Sequence, residues 1–277
     1  MGMRVSTNIA SINAQKSMAG SQREIGKSFA QLASGSRITK AADDAAGLSI
    51  SETLKSTIRG YTQAQRNAND GMSMVQVAEG GLGEISNILT RLRELAVQAS
   101  SDNVGDVERG FIDKEVQQLK QESERIAQST RFGKTNLLNG EGQRFEFQVD
   151  INNDDFKDRI GFEPGEIIAT TSSLGIEAFN FGDKHDAREA LEVLEDAQRT
   201  VNGHRATLGA IQNRLVSTTE NLGVSIENFS AANSRIRDAD IAQSSAELSR
   251  NSILLNASVG VLAQANQMPM TALKLIG

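Results

Sequence analysis

The sequence predicts a mainly α protein: a long antiparallel coiled-coil or helical-bundle rod with a small β-hairpin region, its N- and C-terminal helices paired at one end. Three observations predict it. Two long heptad runs of matching length flank a short alternating segment, which makes an out-and-back path. Aromatic residues are only 4% of the chain, with no Trp and one Tyr, so core bulk falls to Leu, Ile, Val and Ala, residues that suit helix packing. The two prolines are Pro164 and Pro269, so no helix before residue 164 is interrupted by one.

The first helix is expected from about Val5 to Leu32. Val5, Ile9, Ile12, Ala19, Ile25, Phe29 and Leu32 keep mostly to one face, and Ser34-Gly35 closes it. Residues 36–56, rich in Ala, Ser, Asp and Gly, read as a connector. A long helix follows from about Thr57 to Ala99. Tyr61, Ala68, Val75, Leu82, Leu89 and Ala96 recur every seven residues, with Ala64, Gly71, Ala78, Ile85, Leu92 and Ala99 three further on in each heptad. Such a helix spans roughly 65 Å at about 1.5 Å per residue. Gly80, Gly81 and Gly83 should weaken its centre by about 1 kcal/mol each and could bend it.

Ser100 to Asn103 form a turn, and a shorter helix follows from about Asp106 to Ser129, with Ile112, Leu119 and Ile126 at heptad spacing and Val116 between them. Phe145, Phe147, Val149 and Ile151 alternate with polar residues, as a half-buried strand should. Asn152 to Asp155 read as a turn, Ile160 and Phe162 as a returning strand, and Ile167 to Thr171 as a further strand. Asp186 with Glu189 reads as a capping box. It opens a helix carrying Leu194, Val201, Leu208, Leu215, Leu222 and Phe229. After a polar junction at 233–240, the last helix carries Ile241, Leu248, Leu255 and Leu262, with Val259 beside them. The domain division expected is a terminal helical domain at 1–45 plus 236–277, a spoke connector at 46–56, and a helical rod domain at 57–140 plus 186–235. A short variable β-hairpin region at 141–185 belongs to the rod.

The two ends set the function problem. No charged residue lies between Asn251 and Leu273, nor between Val5 and Gln15. Apolar stripes of this kind do not persist in water as isolated helices; they need each other, further copies of the chain, or a membrane. Amides such as Asn251, Asn256, Gln264, Asn266 and Gln267 argue against a bilayer-spanning segment, and packing against protein is the expectation. The N-terminus has no apolar run and no small-residue cleavage site, so no cleaved signal peptide is expected.

Several functions are poorly served. A net charge of −6, with no basic cluster, argues against nucleic acid. The absence of Cys removes disulfides and thiolate metal sites. His185 and His204 are the only histidines; neither has metal-ligand spacing, and both read as surface residues. Asp43-Asp44 and Asp154-Asp155 read as capping and turn residues. Gly80 to Gly83 follow no strand and precede no Lys-Ser/Thr, so they do not form a phosphate loop. No catalytic, cofactor or metal site is expected, and the chain does not read as an enzyme.

The residues do carry a resemblance. Leu32 to Ile38 (LASGSRI), Ala41 to Leu48 (AADDAAGL), Gln65 to Gly71 (QRNANDG) and Leu92 to Gln98 (LRELAVQ) mark the first half. Ser234 to Asp240 (SRIRDAD) and Val261 to Gln267 (VLAQANQ) mark the second. Over about 4–140 and 186–277 the chain resembles bacterial flagellins, in a minimal form with a very short central region. The resemblance implies a structural subunit that polymerises with copies of itself into an extracellular flagellar filament for motility, exported without a cleaved signal peptide. It implies an export chaperone, a filament cap and hook-junction proteins as helpers.

The expected polymerisation core is Val5, Ile9, Ile12, Ile25, Phe29, Leu32, Ile241, Leu248, Leu255, Val259 and Leu262. The resemblance also marks Arg91, Leu95 and Glu115 as a surface for a Toll-like flagellin receptor or for assembly; without it, Arg91, Arg93 and Glu94 read as an ordinary solvated face. The alternatives are a hook–filament junction protein with similar ends, a chemoreceptor-like signalling hairpin, and an enzyme. The signalling hairpin leaves the uncharged ends and the β segment unexplained.

Overall fold

The computed structural model describes residues 7–274, with side chains through residue 268. Among these residues there are five long helices: α1 (Ile9–Ser34), α2 (Ala45–Ala99), α3 (Asp106–Ser129), α4 (Lys184–Arg237) and α5 (Ile241–Lys274). Two antiparallel strand pairs accompany them: β1 (Arg131–Phe132) with β2 (Thr135–Asn136), and β3 (Phe145–Gln148) with β4 (Arg159–Phe162). The chain divides into a terminal unit, residues 1–56 with 228–277, and a central unit, residues 57–227.

In the central unit α2 and α4 run antiparallel. Arg93 pairs with Glu195 at 3.5 Å, Gln198 donates to Ser86 Oγ at 2.7 Å, and Gln65 reaches the Thr219 carbonyl at 3.5 Å. Both heptad seams lie in the core. Ala68, Val75, Ala78, Leu82, Ile85, Leu89, Leu92, Ala96 and Ala99 face Leu194, Val201, Leu208 and Leu215, all nearly free of solvent. Ile112 and Val116 of α3 are buried with them, and Leu119 and Ile126 pack partly buried against them.

Several sequence expectations are corrected. The long helix starts at Ala45, twelve residues before Thr57, so residues 46–56 are helical where a connector was expected. Asp44 starts the helix: its Oδ1 accepts the Gly47 N–H at 2.8 Å and its carbonyl the Leu48 N–H at 3.0 Å. Ala45, Ala46, Leu48, Glu52, Leu54 and Lys55, all good helix formers, carry it on. Asp43 holds the preceding turn, accepting from the Thr39 and Lys40 N–H groups, and these bonds hold its carboxyl below the usual range.

Second, α4 opens at Asp183, which accepts from the His185 and Ala187 N–H groups. Asp186 instead lies within the first turn, where it suits the helix dipole, and Glu189 pairs with His185 at 3.3 Å.

Third, β3 ends at Gln148, because the Gln148 amide turns to bond the Asp150 and Asn152 carbonyls. Residues 167–171 form no named strand; Ile168 makes one isolated bridge to Asn139. The β1–β2 pair was not expected, and it turns on Gly133 at φ +62°, a conformation that favours glycine.

Fourth, His204 is half-buried. Burial pushes its imidazole below the usual range, against the pull of a hydrogen bond to the Ile168 backbone. A histidine held neutral in the native state contributes stability above about pH 6.5, its unfolded value, and the contribution is lost as pH falls through the lower native value. Urea midpoints measured from pH 7.5 to 5 are therefore expected to fall. That slope is at most about 1.4 kcal/mol per pH unit from this group, and His204→Gln should remove its share. An unchanged slope in the variant would count against the assignment.

The glycines expected to weaken α2 leave it continuous and instead permit close approach. A Cβ at Gly81 would lie 2.6 Å from Thr130 Oγ1 and 2.8 Å from Leu138 Cδ1. A Cβ at Gly71 would meet the Phe147 ring at 3.0 Å. Both hairpin segments therefore pack directly on helix backbone. On α3, Asp113 accepts the Phe181 N–H at 2.9 Å, and Glu124 accepts the Thr171 N–H and hydroxyl at 2.8 Å each. Between them the buried Lys120 ammonium donates to the Glu177 and Phe179 carbonyls at 2.6 and 2.9 Å. One helix face thereby fixes the strand-free segment 171–181.

Candidate assembly surface

In the terminal unit α1 and α5 pair antiparallel. Asn8 Nδ2 donates to the Ala265 carbonyl at 2.7 Å, and Ser11 Oγ bonds Asn266 Oδ1 at 2.9 Å. At the other end the Arg37 N–H meets the Arg237 carbonyl at 2.6 Å and the Ala239 N–H meets the Gly35 carbonyl at 2.9 Å. Gly35, at φ +67°, ends α1 and turns the chain into this clasp. Arg37 Nη2 donates to the Ile236 carbonyl at 2.9 Å, and Arg237 pairs with Glu52.

The seam between the two helices consists largely of small and polar residues. On α1 it runs through Ser11, Ala14, Met18, Ser21, Ile25, Ser28 and Leu32; on α5 through Ser244, Leu248, Asn251, Leu255, Ser258, Leu262 and Ala265. The fully buried members are Ser11, Ala14, Ser28, Ser244 and Ala265, with Gln31 beside the seam. Spacings of three and four residues keep both rows facing one another, and small side chains let the backbones approach.

A second set of large apolar residues points away from this seam. Ile9 is 59% exposed, Phe29 65%, Ile253 68% and Val261 59%, and Ile12, Ile241, Leu254, Val259 and Met268 are exposed too. This splits the expected polymerisation core. Ile25, Leu32, Leu248, Leu255 and Leu262 are half-buried inside the pair, whereas Ile9, Ile12, Phe29, Ile241 and Val259 lie outside it. Val5 lies outside the described residues. The single face expected for α1 is therefore corrected: Ile9 and Ile12 sit two positions from Ser11 and Ala14, about 200° around the helix, and the smaller pair faces in. The outward row of α5, Leu254, Val261 and Met268, escaped the sequence reading. Its signal was present, since the three recur every seven residues in the uncharged stretch.

The second expected cluster lies in the central unit. Arg91 Nε and Nη2 both bond Glu115 Oε1, at 2.9 and 2.8 Å, and Nη1 bonds Glu94 Oε2 at 3.0 Å. Glu115 first, then Glu94, holds the guanidinium above its usual range. All three side chains are about half exposed. Leu95, expected on this surface, is corrected: it is 2% exposed and belongs to the core. It adjoins the Ala96 seam position, and the α2 core stripe is wide enough to include it. On α3 one turn from Glu115, Phe111 is 63% exposed, with the Lys114 ammonium 5.5 Å from its ring centre.

Among the described residues no group of three or more His, Cys, Asp or Glu side chains is placed to hold a metal ion. Nor is any described helix long and apolar enough to cross a membrane. Asp154 serves its own loop, accepting the Phe156 and Lys157 N–H groups. The described residues thus present an exposed apolar set on α1 and α5 and an exposed charged cluster around Arg91.

Comparison with known proteins gives the family. Residues 5–143 match the family model of the bacterial flagellin N-terminal helical region, and residues 191–276 that of the bacterial flagellin C-terminal helical region. A flagellin of Halalkalibacterium halodurans is 38% identical over 274 residues, covering 99% of this chain and all of that one. The flagellar filament core protein flaB2 of Brachyspira hyodysenteriae is 37% identical over 292 residues, covering 99% of this chain and 100% of its own. In structure, the chain is similar to the crystal structure of Bacillus cereus flagellin, with a TM-score of 0.51 and 33% identity, over 57% of this chain and 88% of that one. With both terminal regions matched and only residues 144–190 between them, this chain belongs to the bacterial flagellin family, as a member with a short central region.

Proposed function

We propose that the chain is the repeating structural subunit of a bacterial flagellar filament outside the cell, and that copies join by covering the outward faces of α1 and α5. One observation carries this reading. Within the helix pair the buried side chains are small, while Ile9, Ile12, Ile253, Leu254, Val259 and Val261 stand in water. An exposed apolar surface on this scale marks an interaction site, and at about 25 cal/mol per Å² its burial is a large driving force. Association also costs ordering entropy, so polymerisation should be cooperative. A head-to-tail contact that does not close gives an open helical polymer. The role is mechanical and calls for no catalysis.

The same reading takes in its helpers. An export chaperone would shield the α5 stripe before assembly, and cap and hook-junction proteins would bound the filament. Arg91 and Glu115 would serve contacts between subunits first and a Toll-like flagellin receptor second, with Leu95 supporting them from the core. The test is a chain lacking residues 236–277. A folded central unit by circular dichroism, with no polymer by sedimentation and no growth on filament seeds, is expected. Filaments formed by the truncated chain would overturn the mechanism.

A further inference from the structure

The chain contains the dipeptide Asn-Gly twice, at Asn139-Gly140 and at Asn202-Gly203. Such a pair can react without an enzyme. The glycine nitrogen attacks the asparagine side-chain carbon, because no Cβ shields it. The fold sets the two pairs in opposite circumstances.

Asn139 and Gly140 follow the β1–β2 pair, directly after the fully buried Leu137 and Leu138. Gly140 has φ +82°, and a Cβ on it would stand 3.0 Å from Ile168 Cδ1, so the backbone here requires glycine. The Gly140 N–H makes no hydrogen bond among the described residues, which leaves the nucleophile uncommitted. The Glu141 N–H donates to Asn139 Oδ1 at 3.1 Å, folding the side chain back over the peptide that carries the Gly140 nitrogen. That N–H is also a donor to the oxygen that gains charge when Cγ is attacked. The Glu141 carboxylate accepts from Asn139 Nδ2 at 2.8 Å and keeps the amide in this turn.

Asn202 is exposed, whereas Asn139 is half-buried. Yet Asn202 and Gly203 lie within α4, where the Gly203 N–H is given to the carbonyl four residues earlier. Ring closure there requires the backbone to leave the helix. Exposure alone therefore selects Asn202, and backbone geometry selects Asn139.

We infer that Asn139 is a self-modifying site: in the folded chain it closes a succinimide with Gly140 and opens to aspartate and isoaspartate, while Asn202 stays intact. A bond forms from the Gly140 nitrogen to Asn139 Cγ as that nitrogen gives up its proton. The Cγ–Nδ2 bond breaks, and Nδ2 leaves with the proton as ammonia. Water then cleaves one of the two C–N bonds of the imide. Cleavage at Cγ leaves an ordinary aspartate; cleavage at the main-chain carbonyl leaves isoaspartate, with the chain routed through Cβ. Nothing is oxidised or reduced, and water is the sole co-reactant. Either product puts a new carboxylate beside Glu141 and loses the Nδ2 bond. Isoaspartate also adds one main-chain atom between Leu138, whose carbonyl accepts the Ala169 N–H at 2.9 Å, and Gly140, which packs on Ile168. The modified chain therefore holds Leu138 less firmly against Gly81 of α2. None of this depends on the filament reading.

The test uses the full-length wild-type monomer at mildly alkaline pH, with a parallel sample unfolded in guanidinium chloride. Samples taken over time are digested at low pH, where the reaction is suppressed. Mass spectrometry follows the peptides that hold the two asparagines, and electron-transfer fragmentation identifies isoaspartate. In the folded chain Asn139 should convert at least tenfold faster than Asn202, and in denaturant the two should convert at similar rates. A ratio below tenfold in the folded chain, or a tenfold ratio that survives unfolding, would overturn the inference. Aged wild type should also unfold at a lower denaturant midpoint than fresh protein. Asn139→Gln, whose longer side chain closes its ring far more slowly, should keep its midpoint; an equal decline in the variant would show that the modification does not loosen the segment.

Discussion

Replacing Leu254 and Val261 together by Asp is expected to abolish polymerisation while leaving the α1–α5 pair folded. Both side chains point away from the seam, 48% and 59% exposed, so the monomer loses little packing and gains two solvated carboxylates. In an assembled contact the cost is twofold. The remaining apolar burial is lost, about 1 kcal/mol per side chain at half exposure, and two carboxylates are stripped of water at several kcal/mol in total. The sum is of order 5 kcal/mol per subunit, several thousandfold in critical concentration at about 1.4 kcal/mol per decade. Leu255→Asp, one position away, is the contrasting variant. Leu255 is half-buried in the seam, so this change should reduce helix content in the isolated monomer before assembly is considered. Far-ultraviolet circular dichroism separates the two, and sedimentation across a concentration series reads the polymer. Polymerisation of the double-Asp chain at wild-type concentrations would mean that the outward α5 row is not an intersubunit contact.

That contrast also marks how far the sequence could be read. Where large aliphatic residues fill a seam at strict heptad spacing, as at Leu82, Leu89, Leu208 and Leu215, hydrophobicity and burial coincide, and the face was legible. In the terminal unit they separate. The α1 seam is buried through Ser11, Ala14 and Ser28, small residues that close approach favours and that weigh little beside Ile and Phe in a hydrophobic pattern. Ile9 and Ile12 face away from the pair, so periodicity alone grouped them with Ile25 and Leu32, which lie inside it.

The same limit explains Gly81. Its propensity suggested weakness, but its function is steric and depends on Thr130 and Leu138, far away in sequence. Lys120 and His204 show a third kind of gap. A polar residue on a helix reads as solvated unless one knows which carbonyls cover it. The carbonyls of Glu177 and Phe179 come from a segment with no regular pattern. Of the exposed clusters, Arg91 and Glu115 were legible by resemblance, whereas the outward α5 row of Leu254, Val261 and Met268 was missed.

Phe162→Ala is expected to destabilise the central unit by about 3–5 kcal/mol, the usual cost of removing a fully buried aromatic. Phe162 is inaccessible to solvent and lies opposite Phe145 in the β3–β4 register, the rings stacked at 6.4 Å. Its neighbours Ile160 and Ile167 are 4% and 3% exposed. The space left behind would be enclosed by the strand pair and could not refill by simple collapse. Against a total stability of about 5–15 kcal/mol for a domain, this is a large share, and at about 2–4 °C per kcal/mol it lowers the melting temperature by roughly 10 °C. Urea unfolding should show a lower midpoint with an unchanged slope, since the surface exposed on unfolding is nearly the same. Phe156→Ala is the internal control, because a side chain already 88% exposed should cost within about 0.5 kcal/mol. A loss below about 1 kcal/mol at Phe162 would show that the hairpin is not docked as described. The hydrogen bonds of the loop between β3 and β4 would then lose their footing, because that loop is fixed only as firmly as the two strands beneath it.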